Sequence, residues 1–326
     1  MKRNWSKFED AGAGIKSITL NDPDNFVQEL ESFLDYQLDI EKSWVFRGHA
    51  NTSWTLLPQS YRHEGSFYYK GKWPFPLEHS IEQLNVEADI LIEFAKLCDE
   101  VGIEVRMPSG FYQTTKKWGQ EINGRFASDK SDKSFYWDSK YHEALAYAQH
   151  YGIPTRLLDF TKNPLFAALF AARDWQRLKW QNHDIPTTIS VWGTNLPLLI
   201  DKDLFSYKRL DGKKYQRFKS IRMPWARNHF LQQQQGVFII DIGSEFIRHI
   251  NKIPYQPIET VVSSSNYSKE IPILTRFDLP MNDGTVNRLF ELLRQKGILC
   301  ARLMPTLNIV SETLCFYGRL DLPLFS

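Results

Sequence analysis

Short runs of β-type residues are scattered irregularly among helical segments, and this order limits the folds open to the chain. The β-type runs lie at residues 44–46, 188–192, 237–242, 260–263, 273–277 and 314–317. Apolar residues recur at helical spacing near residues 26–38, 80–100, 142–151, 165–173 and 285–296. A regular βαβ series would place one helix between successive strands, and this chain does not. The sequence therefore predicts a mixed α+β fold.

Composition and charge exclude several classes of protein. The 326 residues include 40 Lys and Arg against 38 Asp and Glu, and 42% are hydrophobic, which is typical of a globular chain rather than a disordered one. Cys98, Cys300 and Cys315 are too widely spaced for a disulfide framework or a zinc site, so no metal is expected. A polar start and short apolar runs predict a cytoplasmic protein without a membrane partner.

The chain is predicted to have three parts. Residues 1–40 are expected to form an N-terminal helical segment, residues 41–310 the main domain, and residues 311–326 a C-terminal strand and tail. Residues 108–140 are rich in Gly, Ser, Thr and Lys and hold isolated aromatic residues, so we predict an insertion there.

Four common catalytic motifs are absent from the sequence. There is no phosphate-binding Gly-x-x-x-x-Gly-Lys-Ser/Thr loop, no Gly-x-Gly-x-x-Gly, no His-Glu-x-x-His and no Gly-x-Ser-x-Gly. These absences disfavour a P-loop ATPase, a Rossmann dehydrogenase, a zinc protease and an α/β-hydrolase. Any chemistry must use a different arrangement of residues.

The first candidate segment is the β-type run that ends in Arg47 and Gly48. Burying an arginine is costly unless an anion or a carboxylate meets it. A glycine directly after it allows a ligand or another backbone to approach closely. Two interpretations stay open at this point, an anion-binding arginine and a structural arginine–carboxylate pair.

The second candidate segment runs from residue 149 to 164, where a helix end, a short connection and a helix start bring His150, Thr155, Asp159 and Thr161 near each other in sequence. The helix that begins at Pro164 offers backbone donors to an anion. The alternative is that Asp159 and Thr161 cap this helix and that His150 is structural.

The third candidate segment is a run of four glutamines, residues 232–235, directly before a predicted strand. Gln235 lies beside Gly236 and is predicted to point its amide into a cleft. The other three glutamines are more typical of polar surface.

Together these segments resemble the FRG-domain family, named for a triplet that here is Phe46-Arg47-Gly48. The long block at 149–164 is the most specific match. Weaker matches follow the family order at residues 54–58, 234–238 and 289–305. The resemblance implies an ADP-ribosyltransferase-like fold, in which a split mixed β-sheet with surrounding helices holds NAD in a cleft between its halves.

The resemblance also implies an activity, an NAD-dependent ADP-ribosyltransferase of the toxin or antiphage-defence type. The expected acceptor is nucleic acid, with RNA favoured over DNA or protein, and antitoxin or chaperone proteins are possible partners. The expected catalytic residues are Arg47, Thr155, Asp159, Gln235 and His150. The expected NAD-binding residues are Arg47, Gly48, Tyr151, Thr155, Thr161 and Gln234.

One departure from the family pattern leaves two other functions open. No clear catalytic glutamate stands at the third position, where this chain has glutamines. A non-catalytic nucleotide-sensing or partner-binding module is therefore one alternative. A metal-independent ribonuclease that uses His150 is the other.

A basic segment at residues 206–227 is the predicted nucleic-acid surface. Cations interleaved with aromatic rings are typical of proteins that bind single strands. The rings of this segment are Tyr207, Tyr215, Phe218 and Trp225. The predicted contacts are Lys208, Arg209, Lys213, Lys214, Arg217, Lys219 and Arg222, with Trp118 from the insertion. The alternative is a charged face that contacts only solvent.

Overall fold

A computed structural model describes residues 4–36, 43–62, 80–103, 142–181, 184–208, 212–221, 233–303 and 305–323. The predicted insertion at 108–140, with Trp118, lies outside the described residues, as do Arg209 and Arg222.

Strands and helices are mixed along the described residues. The strands are β1 (Glu9–Gly12), β2 (Ile15–Thr19), β3 (Trp44–His49), β4 (Leu158–Thr161), β5 (Thr188–Asn195), β6 (Ser206–Lys208), β7 (Lys214–Gln216), β8 (Phe218–Ile221), β9 (Gly236–Asp241) and β10 (Leu274–Pro280). The helices are α1 (Pro23–Tyr36), α2 (Ser80–Glu100), α3 (His142–His150), α4 (Pro164–Trp180), α5 (Leu196–Leu199), α6 (Ser244–Asn251), α7 (Ile258–Ser263), α8 (Asp283–Gln295), α9 (Cys300–Leu303) and α10 (Leu307–Arg319), and a 3₁₀ turn spans Gln59–Tyr61.

One large sheet organises the molecule. Its eight strands lie in the order β1-β2-β10-β5-β3-β4-β9-β8, and β6 and β7 form a separate hairpin. β2 and β10 are parallel, while the other neighbours in the large sheet are antiparallel. The predicted α+β class with a mixed sheet is confirmed.

The sheet is narrowly joined at its middle. β3 pairs with β5 along its whole length, from Trp44 to His49, and β4 pairs with β9 along its whole length. Between β3 and β4, however, the ladder consists of the pair Phe46–Thr161. We call this junction the seam.

Side chains alternate across the sheet and divide the core into layers. Trp44 and Phe46 pack on one face, in a cluster that includes α1, α4 and α8, while Val45 packs on the opposite face with α5 and α7. In the other half of the sheet, Phe238 and Ile240 pack against α2 and α3. On this face each half of the sheet thus has its own group of helices with the seam between them, while on the opposite face one cluster spans both halves.

Two predicted strands are helices in the structure. Residues 260–263 belong to α7, which begins after Pro257, and residues 314–317 belong to α10. The side chain of Thr306 caps α10 by accepting a hydrogen bond from the Ile309 amide, and Thr313 and Tyr317, four residues apart, are buried. The strand predictions were wrong because the β-type residues were considered without the caps that precede them.

The sequence predicted a helical N-terminal segment, but the structure also contains strands there. β1 and β2 precede α1, and β2 joins the large sheet beside β10. Trp5 and Phe8 pack in the same cluster as α1, where Phe8 meets Phe277 edge to face. The predicted domain boundaries stay predictions. No helix in the described ranges combines the length and apolar character that a membrane crossing requires.

Candidate active-site cavity at the sheet seam

A cavity of about 320 Å³ opens where the two helix groups meet over the seam. This volume lies within the range of small-molecule sites. β3, β4, the start of β9, the end of α3 and one face of α4 form its wall. The lining residues are Phe46, Arg47, Gly48, Gln149, His150, Asp159, Phe160, Thr161, Ala167, Phe170, Asp174, Gln234, Gly236 and Phe238.

The guanidinium of Arg47 bridges the seam where the ladder ends. Its Nη1 donates to the main-chain oxygen of Asp159 at 2.8 Å and lies 3.7 Å from the Asp159 carboxylate. A strand carbonyl without a ladder partner is thereby satisfied. The arrangement contains the structural arginine–carboxylate pair that the sequence left open, and it also fixes a positive charge in the cavity wall.

His49 holds Arg47 from the other side. Its Nε2 accepts from Arg47 Nε at 3.2 Å, so its Nδ1 carries the hydrogen and donates to the Trp54 carbonyl at 3.2 Å. Burial, together with the positive charges of Arg47 and Arg62, holds the pKa of His49 well below its usual value of 6.5. The imidazole is therefore neutral at physiological pH and positions Arg47.

We expect this neutral histidine to make stability pH-dependent. Below pH 6.5, His49 becomes protonated in the unfolded chain but stays neutral in the folded protein. The free energy of unfolding therefore falls as the pH falls. One proton contributes at most ~1.4 kcal/mol per pH unit. His49→Gln keeps an acceptor and a donor but does not titrate. Urea unfolding between pH 5 and 7.5 should give a flatter profile for this variant, and parallel profiles would contradict the assignment.

Arg62 adds a second positive charge near the seam. Burial and the charge of Arg47 lower the pKa of Arg62 to about 10, while Asp159 opposes the shift. Arg62 donates from Nε to the Leu57 carbonyl at 3.0 Å. Two guanidinium groups thus act on the carboxylate of Asp159, and a second carboxylate, that of Asp174, lines the cavity from α4.

Asp159 is held by a short chain of hydrogen bonds. Gln149 donates from Nε2 to the Asp159 carboxylate at 3.0 Å, and Thr155 donates its hydroxyl to Gln149 Oε1 at 2.8 Å. Thr155 is buried and does not line the cavity. Its expected catalytic and NAD-binding roles stay predictions, and in the structure it is linked to Asp159 through Gln149.

The glutamine segment meets β4 at the cavity. Thr161 donates its hydroxyl to the Gln234 carbonyl at 2.7 Å and accepts from the Asn163 amide at 3.1 Å, while Asn163 caps α4. Gln234 lines the cavity. Gln235 is exposed, has a φ of 51° and does not line the cavity, so the structure does not bring this expected catalytic residue to the site.

His150 and Tyr151 differ in position. His150 lines the cavity, and burial lowers its pKa while Asp159 opposes the shift. Tyr151 is 58% exposed, meets His150 edge to face and does not line the cavity. The structure therefore does not bring Tyr151, an expected NAD-binding residue, to the cavity.

Gly48 serves the close approach of another backbone. A Cβ built on Gly48 would lie 1.9 Å from the main-chain oxygen of Ala167 in α4. The sequence suggested that this glycine allows either a ligand or another backbone to approach closely, and the structure shows the backbone of α4 there. The contact sets the distance between α4 and β3 and thereby the width of the cavity.

Sequence reasoning missed Phe170 and Asp174, which line the cavity from α4. Ala167, Phe170 and Asp174 recur at helical spacing and share one face of that helix. Asp174, an acidic residue directly after the apolar stretch of this helix, was the signal that could have identified this wall of the cavity.

Only some of the basic residues in the segment 206–227 are exposed on the surface. Lys208, Lys213 and Lys214 are exposed on the hairpin of β6 and β7, and Lys219 is partly buried in β8. Arg217 is buried and pairs with Asp241 through Nε at 2.9 Å, so it is not available for a nucleic acid.

The aromatic residues that were expected to stack on bases also differ in their exposure to solvent. Tyr207 and Phe218 are buried in the protein. Tyr215 is partly exposed, and Trp225 lies outside the described residues.

A comparison with known protein families finds a match that contains the triplet Phe46-Arg47-Gly48. Residues 42–179 match the family model of the FRG domain. The FRG-domain match spans β3, β4 and α2 to α4 apart from the last residue of α4, so it contains most of the cavity wall, including Arg47, Asp159 and Asp174. Gln234, Gly236 and Phe238 lie beyond it. No curated protein and no solved structure matches the chain.

No metal site accompanies the cavity in the part of the chain that the structure describes. No group of three or more His, Cys, Asp or Glu side chains there is arranged to hold a metal ion. The lining residues offer the side chains of Arg47, His150 and Thr161, two carboxylates and two carboxamides.

Proposed function

We propose that the seam cavity binds NAD and that the protein is an NAD-dependent ADP-ribosyltransferase. The observation that carries the proposal is a positive charge fixed in a cavity of ligand size, within a match to the FRG domain. Arg47 supplies this charge, and Arg62 reinforces it.

Arg47 retains donors for a ligand. Its Nε and Nη1 bond to His49 and Asp159, and its Nη2 has no hydrogen-bond partner among the described residues. A guanidinium makes strong charge-assisted bonds to phosphate oxygens. In the proposed complex, Nη2 of Arg47 donates to the pyrophosphate or to a ribose oxygen of NAD.

The remaining lining residues suit the cleavage of a glycosidic bond. Cleavage of the bond between nicotinamide and ribose develops positive charge on the sugar, much as in glycoside hydrolysis. Gln234, held through its carbonyl by Thr161, offers a carboxamide to a ribose hydroxyl. A neutral amide cannot act as a base, so Asp159 or His150 would deprotonate the acceptor.

The proposed acceptor is nucleic acid, with RNA ahead of DNA or protein, in a toxin or defence role. The exposed Lys208, Lys213 and Lys214 support this choice because they offer a local positive surface on one hairpin.

Incubation of the purified protein with NAD and with RNA, DNA or protein acceptors tests the proposal. We expect release of nicotinamide and an acceptor mass gain of one ADP-ribose. Absence of both products with all three acceptors would contradict an enzymatic role. Tight NAD binding without turnover would favour the non-catalytic nucleotide-binding module instead.

Arg47→Ala should lower the rate of nicotinamide release more than tenfold. Loss of a charged hydrogen bond costs about 2–3 kcal/mol in the transition state. Arg47→Lys should not restore the rate, because an ammonium cannot bond to His49, Asp159 and a ligand in one plane. Circular dichroism and thermal melting check the fold. Unchanged turnover in a folded Arg47→Ala variant would remove Arg47 from the site.

A further inference from the structure

The side of the cavity formed by α4 carries a negatively charged residue and an aromatic residue, whereas the side formed by β3 carries Arg47. Phe170 and Asp174 lie four residues apart on the same face of α4, and both line the cavity. The wall therefore combines an aromatic ring with a carboxylate, which are the two groups that proteins use to hold organic cations.

The carboxylate of Asp174 lies near three arginines without forming a close pair with any of them. It makes no hydrogen bond or ion pair with any described residue. The arginines on either side of it in sequence, Arg173 and Arg177, lie 3.7 and 3.4 Å from Glu312 on α10. Desolvation by the surrounding protein raises the pKa of Asp174, and the positive charges of Arg173, Arg177 and Arg47 oppose this shift. Asp174 is exposed to solvent and lines the cavity, so a cationic ligand there can reach its carboxylate.

The cavity wall therefore holds the Arg47 guanidinium, paired with Asp159, at the seam and a second carboxylate beside an aromatic ring on α4. Oxidised NAD carries both kinds of charge, because its pyrophosphate is anionic and its nicotinamide ring is cationic. In the reduced form the ring is neutral.

We propose that Phe170 and Asp174 form a subsite for the cationic nicotinamide ring, so that the cavity selects oxidised over reduced dinucleotide. The inference rests on the proposed function. It differs from simple anion binding, which would favour the reduced form because that form carries one more negative charge overall.

Calorimetric titration of the protein with NAD and with NADH tests the subsite. We expect the wild-type protein to bind NAD about tenfold more tightly than NADH, the ratio expected for one charge contact combined with one aromatic contact to the cationic ring. Asp174→Asn should reduce this ratio to about twofold or less, mainly by weakening NAD. Phe170→Leu keeps apolar bulk but removes the ring, and it should also reduce the ratio.

Asp283→Asn is the matched control. It removes one carboxylate that also contacts α4, through Lys179, but that does not line the cavity. This variant should leave the ratio unchanged, and thermal melting checks that all variants fold.

The outcomes separate the two claims. Equal affinity of the wild-type protein for NAD and NADH, or a preference that survives in Asp174→Asn, would overturn the subsite while leaving NAD binding intact. Failure of the wild-type protein to bind either form would overturn the proposed function and the subsite with it.

Discussion

Gly48→Ala is expected to destabilise the protein by more than ~3 kcal/mol and to reduce NAD binding with it. The new methyl group would lie 1.9 Å from the main-chain oxygen of Ala167, and 3.0 Å from the side chain of Ala171. A backbone oxygen inside a packed helix cannot rotate away, so α4 must shift away from β3. Overpacking of this kind is among the few causes of large single-residue effects. Urea unfolding measures the loss.

Gly318→Ala is the control for that change. Gly318 lies in α10, and a Cβ there would meet nothing within 4 Å. Because alanine favours helix more than glycine does, this variant should be neutral or slightly more stable. Equal stability of Gly48→Ala and Gly318→Ala would show that α4 does not press on β3 as described.

Arg156→Met is expected to cost about 3–5 kcal/mol of unfolding free energy, because it leaves a buried charge without its partner. Arg156 is 2% exposed and makes two hydrogen bonds to Glu87, at 2.8 and 3.1 Å. Arg248 bonds to Glu245 at 3.1 Å, and Tyr61 donates its hydroxyl to the same carboxylate. This network ties the 3₁₀ turn, α2 and α6 to the connection before β4.

The double variant Arg156→Met/Glu87→Met gives the matched comparison. Replacing both members of a buried ion pair with apolar side chains of similar size is often nearly neutral. We therefore expect the double variant to be more stable than Arg156→Met alone in urea unfolding. A single variant that loses less than ~1 kcal/mol, or a double variant that loses more than the single one, would contradict an ion pair at this position.

The sequence predicted local features well where short-range signals agree. The helices near residues 80–100, 142–151 and 285–296 follow from apolar spacing, and Asn163 with Pro164 begins α4 as expected. Arg47, His150, Asp159, Thr161 and Gln234 lie at one cavity, as the ordered motifs implied.

The remaining features depend on contacts between distant residues. The narrow seam exists because β3 and β4 share one pair, Phe46–Thr161, and no local pattern determines how far two strands pair. Arg156 and Glu87 are 69 residues apart in sequence, so their pairing was not visible in the block at 149–164. The sequence favoured Gln235 as a catalytic residue and Tyr151 as an NAD-binding residue, but neither lines the cavity, because their positions before β9 and after α3 place them outside it.

The central claim is that groups far apart in sequence meet around one dinucleotide at the seam. A crystal structure of the protein with NAD tests this claim most directly. We expect the dinucleotide in the cavity, with Arg47 Nη2 within hydrogen-bond distance of a phosphate or ribose oxygen and the nicotinamide ring against Phe170. Density for NAD at another surface, or an empty cavity at saturating NAD, would contradict it.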